Sequence, residues 1–451
     1  MNPILALFLF ICFVGLMLRL ERKQSPDVSR ALWIPTIWFL VITSKDLGVW
    51  LQIKGGDVES GSPYDRAFFI LLMGLALVIL IRRNFNWAQA IRENAALVAV
   101  ITFMLLSIAW SDIPFISFKR WTRELVAVLM AFMVLSEASP RKALESILMR
   151  MAYIHIPLSI VLINYFPQLG ARYYEAYGIT WTGVATHKNG LGALCMIVAL
   201  LLIWSMVRRW QGHYPQAWKH QTLTEAIYLL ATLRLMMGPR GSLSYSATSN
   251  VAFAFGLIVF CGLVLFNKKR RFLGAGVLSA FVIFMMIFGI ATFFWGGSTV
   301  SSYASSVGRD ATLTGRTQIW AILLPGALQK PLGGSGFRGF WTTRTMAALG
   351  FSSAHSGYLE LLISLGFVGI ALMSIFYLST CRKAIRELSR DYDWGVLFIV
   401  FLVIILIHNL AEASLDNFAN FITSSILFFS VSSTTRSSSG SQAIERAALP
   451  S

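Results

Sequence analysis

Apolar positions in this chain come in long unbroken runs separated by short polar breaks. The runs cover residues 3–20, 31–44, 67–81, 94–110, 125–135, 151–166, 191–207, 226–237, 251–266, 273–295, 357–378, 394–410 and 421–432. They are 11 to 23 residues long, and the longer ones, from roughly 17 residues, are enough for a helix to cross a bilayer at 1.5 Å per residue. The pattern predicts an all-α polytopic membrane protein with about 11–13 transmembrane helices, the short second, fifth, eighth and thirteenth runs setting the range. No fixed-period repeat is visible. One long polar stretch interrupts the series between spans ten and eleven. The expected organisation is a transmembrane bundle over 1–293, a loop with amphipathic helices over 294–354, two or three further spans over 355–432, and a Ser-rich disordered tail over 433–451.

Composition supports the membrane reading. Of 451 residues, 56% are hydrophobic and only 13% charged, against about 25% charged in soluble domains. Mean hydropathy is +0.66. The net charge of +17 would suggest nucleic acid in a soluble protein. Here its clusters follow alternate spans (Arg19, Arg22 and Lys23; Arg82 and Arg83; Arg141 and Lys142; Arg208 and Arg209; Lys268 to Arg271; Arg382, Lys383 and Arg386), which marks those ends as cytoplasmic. No nucleic-acid partner is expected. The first run lacks a basic leader and a small-residue cleavage site, so it reads as a retained span with its N-terminus outside. Cys12, Cys195, Cys261 and Cys381 lie in or beside apolar runs, without metal or disulfide spacing.

Basic residues left on the outer side oppose the topological bias and invite a functional reading. The stretch 308–369 carries Arg309, Arg316, Arg338, Arg344 and His355. LTGRTQIW within it predicts a helix start capped by Thr314 or Gly315, with an apolar stripe from Ile319 to Leu328 lying at the membrane surface, and Pro325 kinking or ending the helix. Arg316 then sits in the first turn, where the dipole disfavours a cation unless an anion joins it. It could equally pair with Asp310 or a lipid phosphate. The turn LGGSGFR could approach a ligand closely.

His355 follows two serines at the start of the eleventh span, where a helix N-terminus keeps imidazole neutral and able to take a proton from a hydroxyl. Tyr358 shares its helical face. His187 and Lys188 in THKNG, and His408 with Glu412 four positions on, are further outer-side candidates. Arg172 and Arg240 could help line a polyanion site. Loop aromatics, among them Trp320, Phe337, Phe340, Trp341 and Tyr358, could stack on sugars or anchor at the interface. The sequence has no HExxH, Walker or GxSxG motif, and no outer acidic pair for a metal. Asp391-Tyr392-Asp393 reads as a solvated turn, so no metal site or cofactor is expected.

LTGRTQIW, PLGGSGF and AHSGYLELLISLGFVG in this order resemble the O-antigen ligase/polymerase superfamily, nearest to its exopolysaccharide polymerases of the succinoglycan type. GSPYDR, WSDIPFISFKRW, ATHKNGLG, SLSYSATS and HNLAEASL extend the likeness over most of the chain. The resemblance implies a C-type glycosyltransferase-like fold in the bacterial inner membrane, with a periplasmic loop as catalytic site. It implies a metal-independent, inverting polymerisation of undecaprenyl-pyrophosphate-linked repeat units, with a glycan acceptor, membrane lipid and export or chain-length proteins as partners. Arg316 takes the donor-pyrophosphate role, His355 the catalytic role, and Arg240 stands near a family arginine that SLSYSATS lacks. A ligase acting on a lipid or protein acceptor is the near alternative. A flippase for the lipid-linked sugar is the alternative of another class.

Overall fold

A computed structural model describes residues 2–53, 62–174, 178–212, 219–239, 244–265, 275–295 and 316–433. Arg240, Arg309, Asp310, the proposed caps Thr314 and Gly315, and the tail from 434 lie outside them. The protein is an all-α polytopic membrane protein. Its main helices are α1 (Pro3–Gln24), α2 (Trp33–Thr43), α3 (Pro63–Arg82), α4 (Ala95–Ser107), α5 (Pro114–Leu135), α6 (Pro140–Tyr165), α7 (Lys188–Trp210), α8 (Lys219–Met237), α9 (Ala247–Leu265), α10 (Ala275–Trp295), α11 (Arg316–Gln329), α12 (Gly357–Arg390), α13 (Tyr392–His408) and α14 (Phe421–Ser432). Each of the thirteen apolar runs falls on one of them, and α11 is the helix of the polar stretch.

The number that can span alone is smaller than expected. Among the described residues, seven helices (α1, α3, α6, α7, α9, α10 and α12) are long and apolar enough, and α4 joins a short preceding helix, Trp87–Glu93, at a 91° bend. Helices α13 and α14, at 17 and 12 residues, fall short of that length. Both are shorter apolar helices, yet nearly every residue of each is buried by protein. Hydrophobicity on all sides signals burial, whether in lipid or in protein, and here it is protein. Exposed Ile4, Phe8, Ile70 and Ile81 on α1 and α3 mark the outer, lipid-facing wall instead.

Four ion pairs with buried glutamates gather at one end. Arg150 pairs with Glu21 at 2.8 Å, Arg83 with Glu137 at 2.7 Å, Arg141 with Glu387 at 2.5 Å, and Arg209 with Glu225. These sit at the C-terminal ends of α1, α3, α5, α7 and α12 and the N-terminal ends of α6 and α8, which is the end marked cytoplasmic by the basic clusters. Asp391 caps α13 there, its carboxylate accepting from the Trp394 N–H at 3.1 Å.

The opposite end carries the polar loops. A hairpin missed in the sequence pairs β1 (Ala171–Tyr174) with β2 (Gly178–Trp181), antiparallel, Ala171 opposite Trp181. The glycine segment of the polar stretch inserts against a break in α12. Gly366 has φ 64° there. The Ser335 N–H donates to Ile363 O at 2.8 Å, and Phe367 and Val368 N–H donate to Pro331 O and Leu332 O at 2.8 and 3.1 Å. Main-chain groups freed by the break are thereby satisfied inside protein, the condition for irregular backbone in a membrane. A Cβ on Gly334 (φ 63°) would lie 2.5 Å from Ser364 C, so only glycine fits. Helix α11 also runs four residues past Pro325 rather than ending at it.

Candidate functional site

Helix polarity brings the N-termini of α7, α9, α11, α12 and α14 and the C-termini of α2 and α13 to the loop end. Between them lies a cavity of about 520 Å³, lined by His187, Lys188, Asn189, His355, His408 and Glu412 among others. That is within the usual size of ligand sites.

Arg316, at the first turn of α11, meets this cavity through its lining residue Glu412. Its Nη2 donates to Glu412 Oε1 at 2.8 Å and its Nη1 to Thr248 Oγ1 at 3.4 Å. Among the described residues its carboxylate partner is thus one 96 positions away; Asp310 lies outside them. Glu412 Oε1 also accepts from Asn189 Nδ2 at 2.6 Å. Burial raises the Glu412 carboxyl pKa, against the pull of Arg316 and its hydrogen bond and of Lys188. His408 and Glu412 both line the cavity but do not share a helical face, because α13 ends at His408 and Glu412 lies in the following turn. His408 Nε2 lies 3.3 Å from Ser249 Oγ. The SLSYSATS segment therefore reaches the site through Thr248 and Ser249, two residues not singled out from sequence.

His355 is half-buried and stands just outside α12, whose cap is Ser356. Its φ of 48° is left-handed, unusual for a residue with a side chain and common where function fixes the backbone. Ala354 before it is clamped twice. Its carbonyl accepts from Trp320 Nε1 at 2.9 Å, and its N–H donates to Glu360 Oε2 at 3.0 Å. Trp320 lies one turn after Arg316 on α11 and packs edge-on against Phe293. The GRTQIW motif thus does two jobs: the arginine holds Glu412 in the cavity wall and the tryptophan pins the histidine's loop. The imidazole pKa is lowered to about 4, first by burial and then by the positive fields of Arg316 and His187. The ring is neutral as expected, but for reasons other than the helix dipole.

His187 caps α7, its Nδ1 accepting from the Gly190 N–H at 3.1 Å. That fixes its proton on Nε2, facing the cavity rim. Burial, then Arg172 of β1, lowers its pKa. The preceding loop is held by Lys45, whose Nζ donates to Gly183 O and Ala185 O at 2.6 and 2.5 Å.

Two candidates lie elsewhere. Tyr358 is fully buried, with its hydroxyl donating to Leu406 O at 3.0 Å and its ring against Gly289; it packs helices and does not reach the cavity. Arg338 lines a second cavity of about 510 Å³. Trp320, Phe337 and Trp341 are buried too, so the aromatic surfaces in the first cavity are Tyr174 and Phe421. Among the described residues no three His, Cys, Asp or Glu side chains are grouped as a metal site.

An all-helical membrane fold with this polar cavity is the setting in which the comparisons fall. Residues 241–374, from the SLSYSATS segment to the middle of α12, match the family model for O-antigen ligase. The chain is also 22% identical over 327 residues to the exopolysaccharide production protein ExoQ of Rhizobium meliloti (strain 1021), covering 66% of this chain and 68% of that one. The likeness is thus to O-antigen ligase in the C-terminal half and to an exopolysaccharide production protein over two thirds of the chain.

Proposed function

We propose that the protein is a periplasm-facing glycosyltransferase of the inner membrane that polymerises undecaprenyl-pyrophosphate-linked oligosaccharide units into exopolysaccharide. The observation that carries this reading is the meeting of Arg316 and His355, 39 positions apart in sequence, around one cavity at the end of the bundle away from the basic clusters.

The donor diphosphate sits against Arg316 and Lys188. An acceptor hydroxyl oxygen attacks the anomeric carbon from the opposite face. The bond from that carbon to the diphosphate oxygen breaks, and its electron pair leaves with the lipid diphosphate. The hydroxyl proton passes to the neutral ring of His355. Attack opposite the leaving group inverts the anomeric configuration. Fixed guanidinium and ammonium groups stabilise the developing charge in a partly dehydrated site.

A base with a pKa of about 4 is weak. After burial, the largest of its depressing causes is the positive charge of Arg316. A bound diphosphate offsets Arg316 and raises the basicity of the ring when it is needed. Export and chain-length proteins are the expected partners downstream.

Replacing His355 or Arg316 by Ala tests the reading in cells. Loss of long polymer, with single repeat units still reaching the outer leaflet, is the expected result. Units stranded on the inner leaflet would point to transport. Polymer intact but no longer attached to a lipid or protein acceptor would point to a ligase. Normal polymer in both variants would remove both residues from the site.

A further inference from the structure

The second cavity is as large as the first and touches it. The two share Ile42, Ser44 and Ser352 as lining, and His355 lies three positions from that shared serine. Its charge is lopsided. Arg66, Lys119, Arg120, Arg123 and Arg338 line it against Asp46 and Asp65, a formal excess of five minus two, or +3.

The cations are held there by structure. Arg120 Nη1 donates to Arg338 O at 2.5 Å and so fixes the Arg338 loop to α5. Arg338 itself has a left-handed φ of 50°, and its N–H donates to Ser364 Oγ at 2.8 Å, beside the break in α12. Among the described residues no carboxylate lies within ion-pairing distance of Arg66, Arg123 or Arg338. Arg66 Nε is buried without a hydrogen-bond partner. Arg123 stacks at 5.1 Å over Phe69. Arg123 and Arg338 repel one another, while Glu124, Glu360 and Asp416 offset Arg338 and Glu124, Asp46 and Asp65 offset Arg123 at longer range. The buried Arg66 donor stays without a partner, which costs stability, and an anion would satisfy it.

The other wall is apolar. Phe69, Ile70 and Met73 of α3 and Ile116 of α5 contribute to it, and Ile70 is 64% exposed on the lipid-facing side of α3. Beside it Phe115 is 71% exposed, with Lys119 Nζ 4.3 Å over its ring. A free phosphate ion has no use for such a wall. An anionic head group on a hydrocarbon chain uses both.

We propose that this cavity is a second anion site, which holds the diphosphate head group of a polyprenyl-type lipid while the lipid's chain lies along α3. Taken with the reading of the first cavity as the donor site, on which this assignment rests, the second holds the lipid anchor of the acceptor. Its glycan then passes over the shared rim at Ser44 and Ser352 to His355.

The test is binding stoichiometry of the full chain in detergent, with geranylgeranyl diphosphate as probe and inorganic pyrophosphate as comparison, read by native mass spectrometry and calorimetry. Wild type is expected to take two equivalents. Arg66→Gln/Arg123→Gln should take one, Arg316→Ala should take one, and the three together none. Arg66→Lys/Arg123→Lys, which keeps the charge, should restore the second equivalent. Inorganic pyrophosphate should bind the second site at least tenfold more weakly than the lipid. Equal affinity would assign the site to a free anion and overturn the proposal. Two equivalents retained by Arg66→Gln/Arg123→Gln would also overturn it. A single wild-type equivalent that Arg316→Ala abolishes would sink this proposal and leave the donor reading standing. A single equivalent lost in Arg66→Gln/Arg123→Gln but kept in Arg316→Ala would do the reverse.

Discussion

Arg316 Nη2 and Glu412 Oε1 lie 2.8 Å apart, so the cation assigned to the donor already holds an anion. A carboxylate in that place stands where a phosphate oxygen would. Donor binding must displace it or share the guanidinium with it. Glu412→Gln removes the competing charge and keeps the shape. It should tighten binding of a polyprenyl diphosphate about tenfold, or ~1.4 kcal/mol, measured by calorimetry. Weaker binding would mean that Glu412 serves to aim Arg316 rather than to hold its place.

His355 must be neutral to accept a proton, so activity falls as pH drops through its pKa. In the free protein that value is about 4, and the acidic limb of kcat/KM should lie near it. The limb of kcat should lie higher, because bound diphosphate offsets Arg316. A pH–rate profile on wild type tests both; identical limbs would argue against the coupling. His355→Ala should lower turnover by about 10²–10⁴-fold.

Trp320→Phe removes the donor to Ala354 O, and with it part of the buried ring that packs on Phe293. The carbonyl left unpaired costs about 1–3 kcal/mol. Since Trp320 sets the histidine's loop and does not reach the cavity, kcat should drop while donor affinity holds. A matched loss in both, or a loss only in melting temperature, would make the tryptophan merely structural.

Gly366→Ala and Gly350→Ala form a pair. Both glycines have positive φ, 64° and 78°. A Cβ at Gly350 meets nothing within 4 Å, whereas at Gly366 it meets Leu332 O at 2.3 Å. Gly350→Ala should cost about 1–2 kcal/mol. Gly366→Ala should prevent recovery of folded protein. Equal yields and equal melting temperatures would refute the packing of the glycine segment on α12.

The helices were legible because a membrane span writes itself in apolar length, and all thirteen runs fall on helices. Which of them face lipid was not legible. Apolar residues look alike in a bilayer and in a protein core, and α13 and α14 turned out to be core. Arg316, His355, His187, Lys188, His408 and Glu412 could be picked out because polar groups are costly near a membrane. Asn189, Thr248 and Ser249 could not, since uncharged polar residues carry no such mark. Tyr358 was misplaced by the assumption that neighbours on a helical face share a surface; its ring turns into the seam with α10. Arg338 was placed with His355 by proximity in sequence, but the break at Gly366 and the loop packed into it carry it to the other cavity.

That break has one more consequence. The first turns of α12, which follow His355, are tied by main-chain bonds to the same loop that carries Arg338. The separation between the two cavities is therefore set by backbone, not by mobile side chains. On the proposed reading of the two cavities, such a spacer would work as a gauge, admitting acceptors whose reactive end lies the right number of sugars from their charged end and passing over those that are too short.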